Sequence, residues 1–265
     1  MIFLLQGFSM VVKYLNQKYI FSMVSKNQIK LITSLQQKKY RTTHGLFIAE
    51  GIKVIDELLQ SNFELFHLYE TESLFQSVSA NQKDLISFED LSKISALASP
   101  NNCLAIFKIP NQMQIVDRGL IIALDDIRDP GNLGTIIRMC DWFGIEQLLC
   151  STATVDLYNP KVIQATMGSI SRVKVSYTNL AEFINTSSLP IFGTFMNGEN
   201  IYKESLSKEA VIVLGNEANG ISKELEDIIK NRITIPRFGE LKQTESLNVA
   251  SAAAIIMSEF CRLQA

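Results

Sequence analysis

Two uninterrupted apolar runs, Leu120-Ile-Ile-Ala-Leu124 and Val211-Ile-Val-Leu214, each pass directly into a turn rich in glycine and asparagine. A strand with one wet face alternates apolar and polar residues. A continuous run instead suits a strand covered on both faces, the condition of a parallel sheet in an α/β fold. After the first run, Leu133, Ile136, Ile137, Cys140 and Phe143 mark one face of a helix, with Asn132 suited to its N-cap and Gly144 to its end. Asn159-Pro160 opens another helix, since proline lacks only an N–H that the first turn leaves unpaired. Strands are expected at 190–195, 211–214 and 232–235, a helix at 222–231, and a last, alanine-rich helix at 247–261.

A smaller alternation precedes these elements. The spacing predicts a helix over 28–36, then an exposed basic arm over 36–44. Strands follow at 46–49, 65–69 and 103–109, with helices at 52–59 and 90–97. The polar, aperiodic stretch 110–118 reads as a linker. Two α/β domains are therefore expected, 23–112 and 113–265. Residues 1–22 are read as an upstream start or a loosely held extension before Met23.

The formal charge of −2 shows no global basic excess, so any nucleic-acid binding must come from a local patch. The hydrophobic content of 47% is enough for a sizeable core and argues against disorder. The cysteines Cys103, Cys140, Cys150 and Cys261 form no C-x-x-C pair, and with only His44 and His67 beside them no metal site is expected. Three of them sit in apolar runs as small hydrophobes, which fits a reducing, cytoplasmic setting. No segment has the length of apolar residues a bilayer span needs, so no membrane partner is expected.

The chemistry is concentrated in three turns: Asp129-Pro-Gly-Asn-Leu-Gly-Thr-Ile-Ile-Arg138, Leu214-Gly-Asn-Glu-Ala-Asn-Gly220 and Thr244-Glu-Ser-Leu-Asn-Val249. The first leads into a helix N-terminus that could present N–H groups to an anion. It does not meet G-x-G-x-x-G, and G-x-x-x-x-G-K-[ST] occurs nowhere, which argues against dinucleotide and P-loop enzymes. On residue chemistry alone, Arg138 also fits a surface arginine lying over apolar neighbours, and Ser246 or Asn248 a helix cap.

In this order, the three turns resemble the signature motifs of the SpoU family of RNA ribose 2'-O-methyltransferases, in the SPOUT group. The resemblance implies a catalytic domain with a parallel sheet and a C-terminal trefoil knot, S-adenosylmethionine as cofactor, and a homodimer. It assigns catalysis to Asn132, Arg138, Glu217, Ser246 and Asn248, and cofactor binding to Thr194, Gly215, Asn216, Gly220, Ile235 and Leu247. Ala218 and Ala250 depart from the family's usual glycine and serine, and 238–244 is longer than its commonest loop. More loosely, Phe47-Ile-Ala-Glu-Gly51 resembles the ribosomal-protein-like RNA-binding domain that precedes many such catalytic domains. Lys38, Lys39 and Arg41 would then meet phosphates while Tyr40 stacks on a base. The apolar face of the last helix, with Ile255, Ile256 and Phe260, would be shared between subunits or would belong to an ordinary core. The activity implied is methylation of a ribose 2'-hydroxyl in structured RNA, ribosomal or transfer. The alternative is a catalytically inactive RNA-binding or ribosome-assembly protein with the same fold.

Overall fold

A computed structural model describes residues 21–111, 114–240 and 246–262. Most of the expected extension, two residues of the linker and residues 241–245, which include Thr244 and Glu245 of the third motif, lie outside the described residues.

The first unit runs α1 (Lys26–Ser34), α2 (Lys38–His44), β1 (Leu46–Glu50), α3 (Ile52–Leu59), β2 (Leu65–Glu70), β3 (Lys83–Leu85), α4 (Phe88–Ile94) and β4 (Cys103–Lys108). Its four-stranded sheet has the order β1-β4-β2-β3, with β4 antiparallel to both neighbours and β3 parallel to β2. Ser25 and Gln28 close a capping box that starts α1 two residues earlier than periodicity suggests.

The basic stretch expected as an exposed arm is instead the helix α2, ended by Gly45 at φ 62°. This corrects one site assignment. Lys38, Lys39 and Tyr40 are exposed, but Arg41 is only 2% exposed. Its guanidinium donates to Asp156 and to the Leu35 and Gln36 carbonyls, so it has no free face for RNA.

The second unit contains β5 (Leu120–Leu124), α5 (Pro130–Trp142), β6 (Gln147–Cys150), α6 (Pro160–Thr166), β7 (Lys174–Tyr177), α7 (Leu180–Thr186), β8 (Ile191–Asn200), β9 (Ala210–Leu214), α8 (Lys223–Ile228), β10 (Asn231–Thr234) and α9 (Val249–Arg262). Its six strands have the order β10-β8-β9-β5-β6-β7, and every pairing is parallel. Alternate residues of β5 and β9 enter different cores. Ile122, Leu124, Ile212 and Leu214 face α5 and α9, while Ile121, Ala123, Val211 and Val213 face α7 and α8. That is the physical reason their sequences carry no polar alternation.

Asp129, rather than Asn132, caps α5: its side chain accepts from the Asn132 N–H at 2.8 Å, and Pro130 fills the first helical position. Asn132 is thereby left inside the first turn, with its amide free for other partners. Of the two roles open to the last helix, Ile256 and Phe260 take the ordinary one, being 2% and 0% exposed within the protomer's own core, while Ile255 is half-buried.

The two sheets share one apolar cluster, in which Phe47 of β1 meets Tyr158 with ring centroids 4.8 Å apart. Cys103, Cys140 and Cys150 are buried and unpaired, and burial pushes the Cys103 thiol up to about 12. Among the described residues no helix is long and apolar enough to cross a membrane, and no cluster of three or more His, Cys, Asp or Glu could hold a metal ion.

Helices α5 and α6 meet closely at Gly134, where a Cβ would lie 2.4 Å from the Ala165 Cβ and 2.9 Å from the Val162 carbonyl. Gly134→Ala is expected to force α5 and α6 apart and to destabilise the fold by about 1–3 kcal/mol. Urea unfolding with an unchanged midpoint would show that α6 yields without strain.

Candidate active site

Parallel strands end in their following turns at one edge of the sheet, which is where α/β folds place their ligands. The turn after β9 is closed by paired bonds, Asn216 N to Gly220 O at 2.9 Å and Gly220 N to Asn216 O at 2.8 Å. Gly220 has φ +69°, and a Cβ on Gly215 would fall 2.2 Å from the Gly220 carbonyl carbon. Both glycines are therefore required by the chain's own path. The Asn216 side chain accepts from the Ala218 and Asn219 N–H groups and donates to the Asp126 carbonyl, fastening this turn to the one after β5. What residues 215–220 can offer a ligand is therefore mainly backbone.

This turn forms one wall of a cleft of about 1160 Å³. Thr194, Gly215, Asn216, Gly220, Ile235 and Leu247 all line it, joined by Glu217 and Ser246. Asn132, Glu217 and Asn248, far apart in sequence, meet beside it. The Asn132 amide donates to the Glu217 carboxylate, and its Oδ1 accepts from the Asn248 amide at 2.9 Å. Asn248 also caps α9, its Oδ1 accepting from Ala250 N at 3.0 Å and Ser251 N at 3.2 Å. The capping role and the site role of Asn248 are thus held by opposite ends of one amide.

Arg138 is not part of this cluster. It is exposed, six residues beyond Asn132 and about 600° further around α5, with no hydrogen bond or ion pair to any described residue. Lys38, Lys39 and Tyr40 form a separate surface on α2, where the Lys39 ammonium lies 5.9 Å from the Tyr40 ring and Tyr40 stacks on His44 at 6.5 Å.

The sequence reading missed Arg232. Its guanidinium lies 3.7 Å over the Phe195 ring and bonds Glu226 and Asn197 at 3.0 Å each, and all four residues line the cleft. These contacts depend on an interruption in the pairing of β10 with β8, where register shifts between Arg232 and Ile233 and Thr194–Asn197 bow toward the cleft. No motif or periodicity marks that irregularity.

Residues 119–258 match the SpoU rRNA methylase family, and residues 26–105 match an MRM3-like substrate binding domain. The chain belongs to the SpoU rRNA methylase family. Over 241 residues it is 29% identical to the Bacillus subtilis 23S rRNA (guanosine(2553)-2'-O)-methyltransferase RlmP, covering 88% of this chain and 96% of that protein. A TrmH-family protein from Porphyromonas gingivalis superposes with TM-score 0.83 at 36% identity, covering 91% of this chain and all of that one. An AdoMet-bound rRNA methyltransferase from Sinorhizobium meliloti superposes with TM-score 0.81 at 26% identity, over 92% of this chain and 98% of that one.

Gly215→Ala should abolish ligand binding in the cleft, because its Cβ has nowhere to go but into the Gly220–Ile221 peptide. Calorimetric titration with S-adenosylmethionine checks this, and affinity within about twofold of wild type would show that the turn can open freely.

Proposed function

We propose that this protein transfers the methyl group of S-adenosylmethionine to a ribose 2'-hydroxyl of structured RNA, with ribosomal RNA favoured over transfer RNA by the relatives it matches. The observation that carries the reading is the meeting of Asn132, Glu217 and Asn248 at the rim of the cleft lined by all six cofactor positions. The cleft suits such a ligand: it is about 1160 Å³, a little above the usual range for small-molecule sites, and it joins the apolar Ile235 and Leu247 to polar backbone at residues 215–220. The inactive RNA-binding alternative is not favoured, because the residues needed for transfer are present and three of them are assembled.

The cofactor supplies, when bound, a methyl group on a positively charged sulfur that leaves as a neutral thioether. The chain's residues supply position and charge. Ile235 and Leu247 offer backbone groups to the adenine, Thr194 and the 215–220 turn complete the wall, and Ser246 and the Asn132–Glu217–Asn248 cluster orient the ribose. Holding donor carbon and hydroxyl oxygen in line is the main contribution, of roughly 7–11 kcal/mol in well-oriented systems. As the C–O bond forms and the S–C bond breaks, the hydroxyl proton passes to a phosphate oxygen or water. The Arg138 guanidinium fixes the RNA phosphate and stabilises the emerging alkoxide.

The same reading implies the family's homodimer, C-terminal knot and cytoplasmic setting. The knot is in keeping with the path of the chain, which leaves the edge strand β10 yet returns to meet Asn132 through Asn248. A dimer is supported by the exposed face of α5, where Trp142 is 85% exposed and lies one helical turn beyond Arg138. A partner on that face would place Arg138 at the interface. Residues 23–112 then serve as the RNA substrate unit and 113–265 as the catalytic unit.

Labelled methyl transfer from S-adenosylmethionine to unmodified total RNA, size-fractionated afterwards, tests the activity. Wild type is expected to label one fraction and Arg138→Ala to lose at least about 100-fold in rate. Near-normal turnover by Arg138→Lys would remove the bidentate fork from the mechanism, and no label from wild type would overturn the activity. Light scattering should give a dimer that Trp142→Ser weakens, whereas a wild-type monomer at micromolar concentration would exclude this interface.

A further inference from the structure

The basic run splits at its fourth residue. Lys38, Lys39 and Tyr40 face solvent, whereas Arg41 turns inward. Its Nη1 donates to the Leu35 carbonyl at 2.8 Å and to the Gln36 carbonyl at 2.9 Å, while Nε and Nη2 donate to Asp156 Oδ2 at 2.9 and 2.5 Å. Asp156 belongs to the second unit, in the stretch after β6. The chain there bends back, Asn159 N donating to the Asp156 carbonyl at 3.0 Å, and Asn159 then caps α6. Helix α6 packs on α5 through the Gly134–Ala165 contact, and α5 carries Asn132 and Arg138. One guanidinium therefore connects the α1–α2 junction, through α6, to the helix at the heart of the site.

A planar fork with four bonds made in a buried setting fixes separation and angle together. A lysine ammonium at the same place would fix neither. A second arginine braces the units elsewhere: Arg172 ties Glu57 of α3 to Asp141 of α5, beside Gly168, where a Cβ would lie 2.7 Å from the Glu57 Cβ. That brace is about half exposed, so Arg41 is the stiffer of the two.

We propose that Arg41 is a positioning residue for the RNA. Its tie to Asp156 sets the distance and angle between the Lys38-Lys39-Tyr40 surface and the Asn132–Glu217–Asn248 cluster, so that one nucleotide of the held strand brings its 2'-hydroxyl to the cleft. The inference rests on the methyl-transfer reading above. Phosphate contacts set register without reading sequence. In an enzyme that holds its substrate this way, the choice of nucleotide depends on how rigidly the holding surface is joined to the chemistry.

The test uses the full chain, with unmodified transcribed ribosomal RNA as probe and methylated nucleotides mapped after reaction. Variants are Arg41→Ala, Arg41→Lys and Asp156→Asn, beside the double variant Lys38→Ala with Lys39→Ala. For Arg41→Ala, kcat/KM for RNA is expected to fall about 10- to 100-fold, the loss associated with misplacement of order 1 Å, with label spreading to neighbouring nucleotides. Its S-adenosylmethionine affinity and the salt slope of its RNA binding should stay at wild-type values. Arg41→Lys should fail to restore fidelity, and Asp156→Asn should shift it part of the way. The lysine double variant should do the reverse, lowering the salt slope by about two phosphate contacts while label stays on one nucleotide.

A reduced salt slope in Arg41→Ala with label on a single nucleotide would overturn the proposal, since Arg41 would then be meeting a phosphate itself. So would variants that lose thermal stability yet keep wild-type kcat/KM and fidelity per folded molecule. Should Arg41→Ala not fold, Asp156→Asn decides by the same readouts. A wild type that methylates none of the RNA sinks the activity and this proposal together; active wild type with unaltered fidelity in every variant sinks this proposal alone.

Discussion

Strands β5 and β9 are covered on both faces, and most of what this protein can do follows from that constraint. Side chains leaving a doubly buried strand enter apolar cores, so polar chemistry is confined to strand ends. Because every strand in the larger sheet is parallel, the ends that matter lie on one edge. The turns after β5, β9 and β10 thus gather there without any direct attraction between them. Asn216 then fastens two of the turns through the Asp126 carbonyl, and Asn132 links the first turn's helix to the second turn and the third.

What the sequence showed clearly were features set by local periodicity. The apolar runs announced β5 and β9, Asn159-Pro160 announced α6, and the alanine-rich stretch announced α9. Of the short elements between Gly144 and Leu189, only α6 was legible, through its Asn159-Pro160 start; β6 and β7 have four residues each and α7 seven, too few for a period to declare itself. The cap of α5 was legible in Asp129-Pro130, itself a helix-start signal, though Asn132 beside it carries a cap-forming side chain too.

Candidate site residues divided along a different line. The six cleft positions came from motif resemblance, and they line one cleft. The basic run misled at Arg41, because whether a cation in such a run faces water depends on an aspartate 115 residues away. Arg232 was invisible for the same kind of reason, its setting over Phe195 being produced by a local break in strand register. Charge placement is decided by tertiary partners, and composition carries no record of them.

The direction of the polar link in the site is itself determined. Asn248 Oδ1 accepts from two backbone N–H groups at the start of α9, so its nitrogen must point the other way, at Asn132 Oδ1. Asn132 has then used its acceptor, and its remaining amide nitrogen must donate to Glu217. The orientation of both amides is thus dictated by the helix terminus, and Glu217 is left as the one pure acceptor that ends the chain. An aspartate at position 132 could not serve, since it would offer Glu217 a lone pair where a donor is needed and set two carboxylates against each other. An amide at that position is the side chain of its size that can donate to a carboxylate and accept from a neighbour at once. It therefore couples the folding of the last helix to the geometry of the cleft's rim.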